Sequence, residues 1–142
     1  MDWADLFNGF QGRIGRGAFW IGIVALTVAE VAAQFVAQSF EGDRLSAIID
    51  LAFIYPEFAV TLKRAHDREL PVWLLVVFFA GGALLDFLTV LGLTGADDTP
   101  SMVTMGLVVL YTVFGFALLI ELGFRRGTVG PNRYGPDPLA RV

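Results

Sequence analysis

The sequence predicts an all-α membrane protein, with four transmembrane helices behind an N-terminal interfacial helix and both termini cytoplasmic. Three observations carry that expectation. Apolar residue types make up 56% of the 142 residues and the mean hydropathy is +0.65, above the range usual for a soluble globule. Apolar stretches of bilayer-crossing length recur along the chain, and the cationic residues collect in segments that an even number of crossings places on one side. The length accommodates a single domain, residues 1–142.

In chain order, residues 1–18 form the interfacial segment. Trp3, Leu6, Phe7 and Phe10 recur at helical spacing, and Asp2 and Asp5 suit the positive end of a helix. Gly12, Gly15 and Gly17 then loosen the chain for a turn into the first span. That span is placed at about 19–40; because acidic residues open the chain ahead of it, the N-terminus reads as retained rather than as a cleaved signal peptide. Spans at about 72–93 and 102–124 also reach the roughly 20 residues a crossing needs.

The stretch 47–62 is shorter and carries Asp50, Pro56 and Glu57. Its strong apolar residues return roughly 3–4 kcal/mol on insertion, against about 3 kcal/mol for each central acid. Charge placement argues that it crosses. With four spans, Arg13, Arg16, Lys63, Arg64, Arg68, Arg125, Arg126, Arg133 and Arg141 share one side and only Arg44 lies opposite, while Glu41, Asp43, Asp97 and Asp98 face outward. The alternative is a re-entrant or broken helix kinked at Pro56. Residues 125–142 are read as a cytoplasmic tail.

Three polar clusters flank the apolar stretches. The first, from Gly12 to Trp20, sets Arg13 and Arg16 three residues apart ahead of two aromatics, a pattern that suits phosphate oxygens at headgroup depth and equally suits topological anchoring. The second is Lys63-Arg64-Ala65-His66-Asp67, which holds the only histidine. Its bland reading is that His66 and Asp67 finish a helix and bind a neighbouring loop; Ser-His-Asp order and H-E-x-x-H spacing are both missing, so no catalytic residue is assigned. The third, 127–138, has glycines and prolines that favour an ordered turn series with exposed amides able to cradle an anion. It lacks the lysine and following helix of a P-loop.

Within the spans, Glu30, Gln34 and Gln38 recur every four residues beside Ala25, Ala29, Ala33 and Ala37, which reads as a helix-packing face. Five intramembrane acids, Glu30, Asp50, Glu57, Asp86 and Glu121, invite a proton or cation path, against which stands structural pairing such as Glu121 with Arg125 one turn on. The absence of cysteine excludes disulfides and thiolate metal sites; no metal and no cofactor are expected.

The clusters together resemble the YhaH-like family of small bacterial inner-membrane proteins, domain of unknown function 805. The resemblance runs from about Gly12 to Pro138: a G-R-x-x-R-x-x-F-W start, a basic-basic-x-H-D centre before Trp73, and a G-x-N-R-Y-G-x-D-P end. It implies a four-helix, multi-pass inner-membrane protein and supplies no reaction. Departures are Lys63, where arginine is usual, and the link Arg68-Glu69-Leu70-Pro71-Val72 in place of one with glycine and lysine.

The functional expectation is a non-enzymatic scaffold that binds an anionic lipid headgroup or a protein partner, with Arg13, Arg16, Lys63, Arg64, His66, Asp67, Asn132, Arg133 and Tyr134 as the site. Membrane lipids, a protein partner or further copies of the chain are the expected partners, and nucleic acid is not. The alternatives are a small oligomeric transporter or proton-coupled channel using Glu30, Glu57 and Asp86, and a lipid-phosphate enzyme using His66 as a base.

Overall fold

The computed structural model describes residues 3–40, 43–91 and 102–140. It is all-helical: α1 is Trp3–Asn8, α2 Arg16–Gln38, α3 Asp43–Arg68, α4 Trp73–Val90 and α5 Met102–Phe124. Arg16 at the start of α2 reaches the Phe124 carbonyl at the end of α5. At the other end, Gln34 of α2 donates to the Ser46 carbonyl and to Asp50 at the start of α3. The four long helices therefore run up, down, up and down, and bring both described ends of the chain together.

Among the described residues three helices are long and apolar enough to cross a membrane, namely Arg16–Gln38, Arg44–Arg68 and Met105–Phe124; Trp73–Leu88 is apolar but shorter. The crossing expected of 47–62 on charge placement has a helix of sufficient length, while the one expected at 72–93 is described only as far as residue 91. The segment read as marginal, 47–62, is the core of the longest helix, which continues through Pro56 without a break. The missing amide at Pro56 costs one backbone bond, and the apolar and cationic residues after it hold the helix to its neighbours. Residues 92 and 93, the end of the expected span at 72–93, lie outside the described residues, as do Asp2, Glu41, Asp97, Asp98 and Arg141.

The core sits at the end of the bundle that gathers the cationic clusters. Every residue from Ala59 to Asp67 is buried. Around them pack Leu6 of α1, Phe19 and Leu26 of α2, Leu75 of α4, and Leu118 and Leu122 of α5. Gly22 lets α2 approach α3, since a Cβ there would stand 3.1 Å from Val60. Leu6 is only 2% exposed, so α1 is docked on the bundle; Phe10 lies beyond its end, edge-on to Tyr55 and Phe58.

The packing face expected on α2 is turned inward only in part. Ala25 and Ala29 are exposed, and the buried positions are Phe19, Gly22, Leu26 and Ala37. Glu30, Ala33 and Gln34 continue that buried stripe at intermediate exposure and Gln38 is exposed, so the inward stripe takes residues from both sides of the expected pattern.

α3 ends in a Schellman turn: the Leu70 amide donates to the Ala65 carbonyl at 3.0 Å and the Glu69 amide to the His66 carbonyl at 3.3 Å. Glu69 occupies the left-handed position at φ 53°, which disfavours any residue with a Cβ. Glu69→Gly is expected to raise stability by up to about 1 kcal/mol, read as a higher thermal midpoint in detergent. A lower midpoint would show that the glutamate side chain contributes more than the strain costs.

Candidate functional site: the cationic joint

The last turn of a helix leaves carbonyls without intrahelical donors, and at the end of α5 side chains supply them. Arg64 Nε donates to the Leu122 carbonyl at 2.7 Å and its Nη2 to the Arg125 carbonyl. Trp20 Nε1 takes the Gly123 carbonyl at 3.1 Å, and Arg16 Nη1 takes Phe124 at 3.1 Å. Positive charge also complements the negative end of the helix dipole. Lys63 acts likewise on α1, donating to the carbonyls of Asp5 and Leu6, while the Tyr55 hydroxyl takes Asn8 at 2.8 Å. Neighbouring cations of α3 thus hold the C-terminal ends of two other helices.

Asp67 joins these contacts. One carboxylate oxygen accepts from Arg13 Nε at 3.1 Å and Nη2 at 2.8 Å, and the other accepts from Arg64 Nη1. The three side chains are 1%, 0% and 5% exposed for Arg13, Arg64 and Asp67. Burial makes such a cluster stabilising only if its donors are occupied. Arg13 also donates to the carbonyls of Gly130 at 2.8 Å, Gly135 at 3.2 Å and Thr128 at 2.7 Å. The Thr128 amide returns a bond to the Asp67 carbonyl at 2.8 Å. Gly127 sits against the Asp67 carboxylate where a Cβ would collide with it.

The third cluster closes over the second. Asn132 Nδ2 donates to the His66 carbonyl at 3.0 Å and to Thr128 Oγ1 at 3.0 Å. Tyr134 stacks on His66 with ring centroids 3.8 Å apart and planes 8° from parallel, and Arg133 lies 4.7 Å from the Tyr134 ring centre. His66 Nδ1 is 3.2 Å from the Gly12 carbonyl; a carbonyl only accepts, so Nδ1 carries the proton. One ring nitrogen and one ring face of His66 are therefore engaged in holding the chain together. Residues 127–139, read from sequence as tail, are packed back onto the bundle.

The anion that this turn series holds is its own. Asp137 accepts from the amides of Leu139 at 2.9 Å and Gly130 at 3.0 Å. Those amides, Leu139 first, hold its carboxyl below the usual aspartate range. Because the folded value is depressed, the stabilisation is complete above the ordinary Asp value of about 3.9 and is lost as pH falls below it. Amide-exchange protection at Gly130 and Leu139 should hold from neutral pH to about pH 4 and then fall. Asp137→Asn should lower protection at those two amides already at neutral pH; unchanged protection would contradict the assignment.

Of the nine residues proposed from sequence, seven meet in one network, Lys63 is turned away to the end of α1, and Arg16 of α2 binds the end of α5 beside the network. Arg16, Arg125, Arg126 and Arg133 remain exposed at this end of the bundle. Sequence reasoning missed Trp20, Thr128 and Gly127 as members of the joint. Arg68 and Arg125 both bind Glu121, and Arg68 Nε is a buried donor without a partner. Among the described residues no group of acidic or histidine side chains is arranged to hold a metal ion.

Residues 7–136 match the family described as "Protein of unknown function (DUF805)". The chain is 33% identical over 134 residues to the uncharacterized protein YiiR of Escherichia coli, covering 90% of this chain and 84% of that one. It is 23% identical over 148 residues to the inner membrane protein YhaH of Escherichia coli, covering 97% of each. No solved structure matches it. The matched span contains the first two clusters and the third as far as Pro136, and the chain belongs to the DUF805 family.

Proposed function

We propose that this protein is a four-span inner-membrane scaffold, with both termini cytoplasmic, whose collar of exposed arginines holds anionic lipid headgroups. The observation that carries the reading is a division of labour among cations at one end of the bundle. Arg13 and Arg64 are buried with their donors on internal acceptors, whereas Arg16, Arg126 and Arg133 face outward beside them. Arginine forks at that depth fit phosphate oxygens. The up-and-down course of the helices and the printed name of YhaH support the topology.

Excising the protein in native-lipid discs and weighing the retained lipids tests the binding. Enrichment of anionic over zwitterionic lipids relative to bulk membrane is expected, and bulk composition would overturn the reading. A reporter fused after Val142 should read cytoplasmic, and an external signal would contradict the four-span topology. A second reading, a small oligomeric transporter, has one observation in its favour: α2, α3 and α4 carry four carboxylates, Glu30, Asp50, Glu57 and Asp86, within their apolar stretches. Acid-dependent flux in proteoliposomes that Glu30→Gln abolishes would favour it over the scaffold.

A further inference from the structure

Between the long helices, below the joint, lies an open cavity of about 380 Å³ that reaches the bundle surface at Thr112 and Phe116, both exposed. Its wall is apolar and largely aromatic, with Phe19 from α2, Phe78 and Phe79 from α4, and Phe116 from α5. One carboxylate, Glu57 of α3, reaches it. Tyr111 also lines it, but its hydroxyl already donates to the Phe78 carbonyl at 3.2 Å. Among the described residues Glu57 has neither a hydrogen-bond donor nor a cation as partner, although it is half-buried. Six residues separate it from Lys63, about 9 Å along the helix, and Lys63 is turned to α1.

The surrounding charge favours a cation as guest. The apolar stretches 19–40, 45–62, 73–91 and 105–124 carry Glu30, Asp50, Glu57, Asp86 and Glu121 and not one lysine, arginine or histidine. Glu121 is taken by Arg68 and Arg125. A phosphate headgroup entering here would meet a carboxylate with no base to offset it. A protonated nitrogen would meet that carboxylate and the faces of aromatic rings, both of which attract it. The volume falls within the range of small-molecule sites.

We propose that this cavity is a binding site for a lipophilic amine, a protonated nitrogen on an apolar or aromatic body, with Glu57 as its ion-pair partner and the phenylalanines as its walls. The site is separate from the arginine collar, and binding there requires no transport.

The test uses the full chain in lipid discs, titrated by fluorescence with 1-naphthylmethylamine and with its neutral isostere 1-naphthalenemethanol, each corrected for partition into empty discs. The amine should bind saturably, and the alcohol about tenfold or more weakly, since it lacks the charge-assisted bond. Glu57→Gln should weaken the amine by a similar factor and leave the alcohol unchanged. Thr112→Phe, which adds a ring from α5 into the cavity, should reduce both, and it tests the site even where Glu57→Gln does not fold. Equal binding of amine and alcohol, full amine affinity in Glu57→Gln, or full amine affinity in Thr112→Phe would each overturn the proposal.

Discussion

Asp67→Ala is expected to lower stability by about 3–5 kcal/mol, the range found when one member of a buried ionic cluster is removed. Among the described residues its carboxylate is the only acid shared by Arg13 and Arg64, and both guanidiniums are buried. Without it two positive charges face each other away from water. The loss is a large part of the 5–15 kcal/mol by which a typical domain is stable. Asp67→Asn keeps the volume and one acceptor, removes the charge, and should fall between wild type and Asp67→Ala. Denaturant unfolding of the detergent-solubilised protein reads the effect, and a loss in Asp67→Ala below about 1 kcal/mol would place the cluster among ordinary surface ion pairs.

Arg64→Ala should cost about as much, 3–5 kcal/mol, by a different route. It leaves the Asp67 carboxylate with one cation fewer and removes the donors from the Leu122 and Arg125 carbonyls at the end of α5. Lysine should not rescue it, because one ammonium cannot reproduce a planar fork aimed at four acceptors. The end of α5 would loosen first, so Trp20, which donates to the Gly123 carbonyl there, should shift its fluorescence below the global transition. Arg16→Ala is the control. Arg16 makes one exposed bond to the same helix end, and its loss should cost about 1 kcal/mol. Equal effects from Arg16→Ala and Arg64→Ala would contradict the distinction between buried joint and exposed collar.

Much of this joint was legible in the sequence as position. The three polar clusters sit at the ends of apolar stretches, and alternating helices bring those ends together, so their convergence follows from topology. The turn series at 127–138 was legible from its glycines and prolines, two of which, Gly130 and Gly135, stand at φ 82° and 142°. The burial of the cations was not legible. Most acceptors of Arg13, Arg64 and Lys63 are backbone carbonyls, and a carbonyl has no letter in the sequence. Phosphate binding and helix capping therefore look alike until the chain is folded.

The crossing of α3 was legible from charge placement and not from hydropathy, for a related reason. Hydropathy counted Asp50 and Glu57 against a crossing at 47–62, yet Asp50 accepts from Gln34, and beyond that stretch Lys63 and Arg64 are satisfied by α1 and α5. Polar residues that bind neighbouring helices lengthen α3 at its cytoplasm-facing end in the proposed topology. Ala25 and Ala29 of the alanine stripe of α2 stay exposed because small size permits close packing without requiring it. Gly22, opposite Val60, makes the close approach instead.

The account turns on buried arginines that hold the fold and exposed arginines that bind headgroups, and a crossed comparison tests it most directly. Arg13→Gln and the triple variant Arg16→Gln, Arg126→Gln, Arg133→Gln would each be measured for thermal midpoint and for anionic lipid retained in native-lipid discs. The account predicts a lowered midpoint with wild-type lipid retention for Arg13→Gln while it is folded, and a near wild-type midpoint with lost anionic lipid for the triple variant. Anionic lipid lost from Arg13→Gln and kept by the triple variant would contradict it.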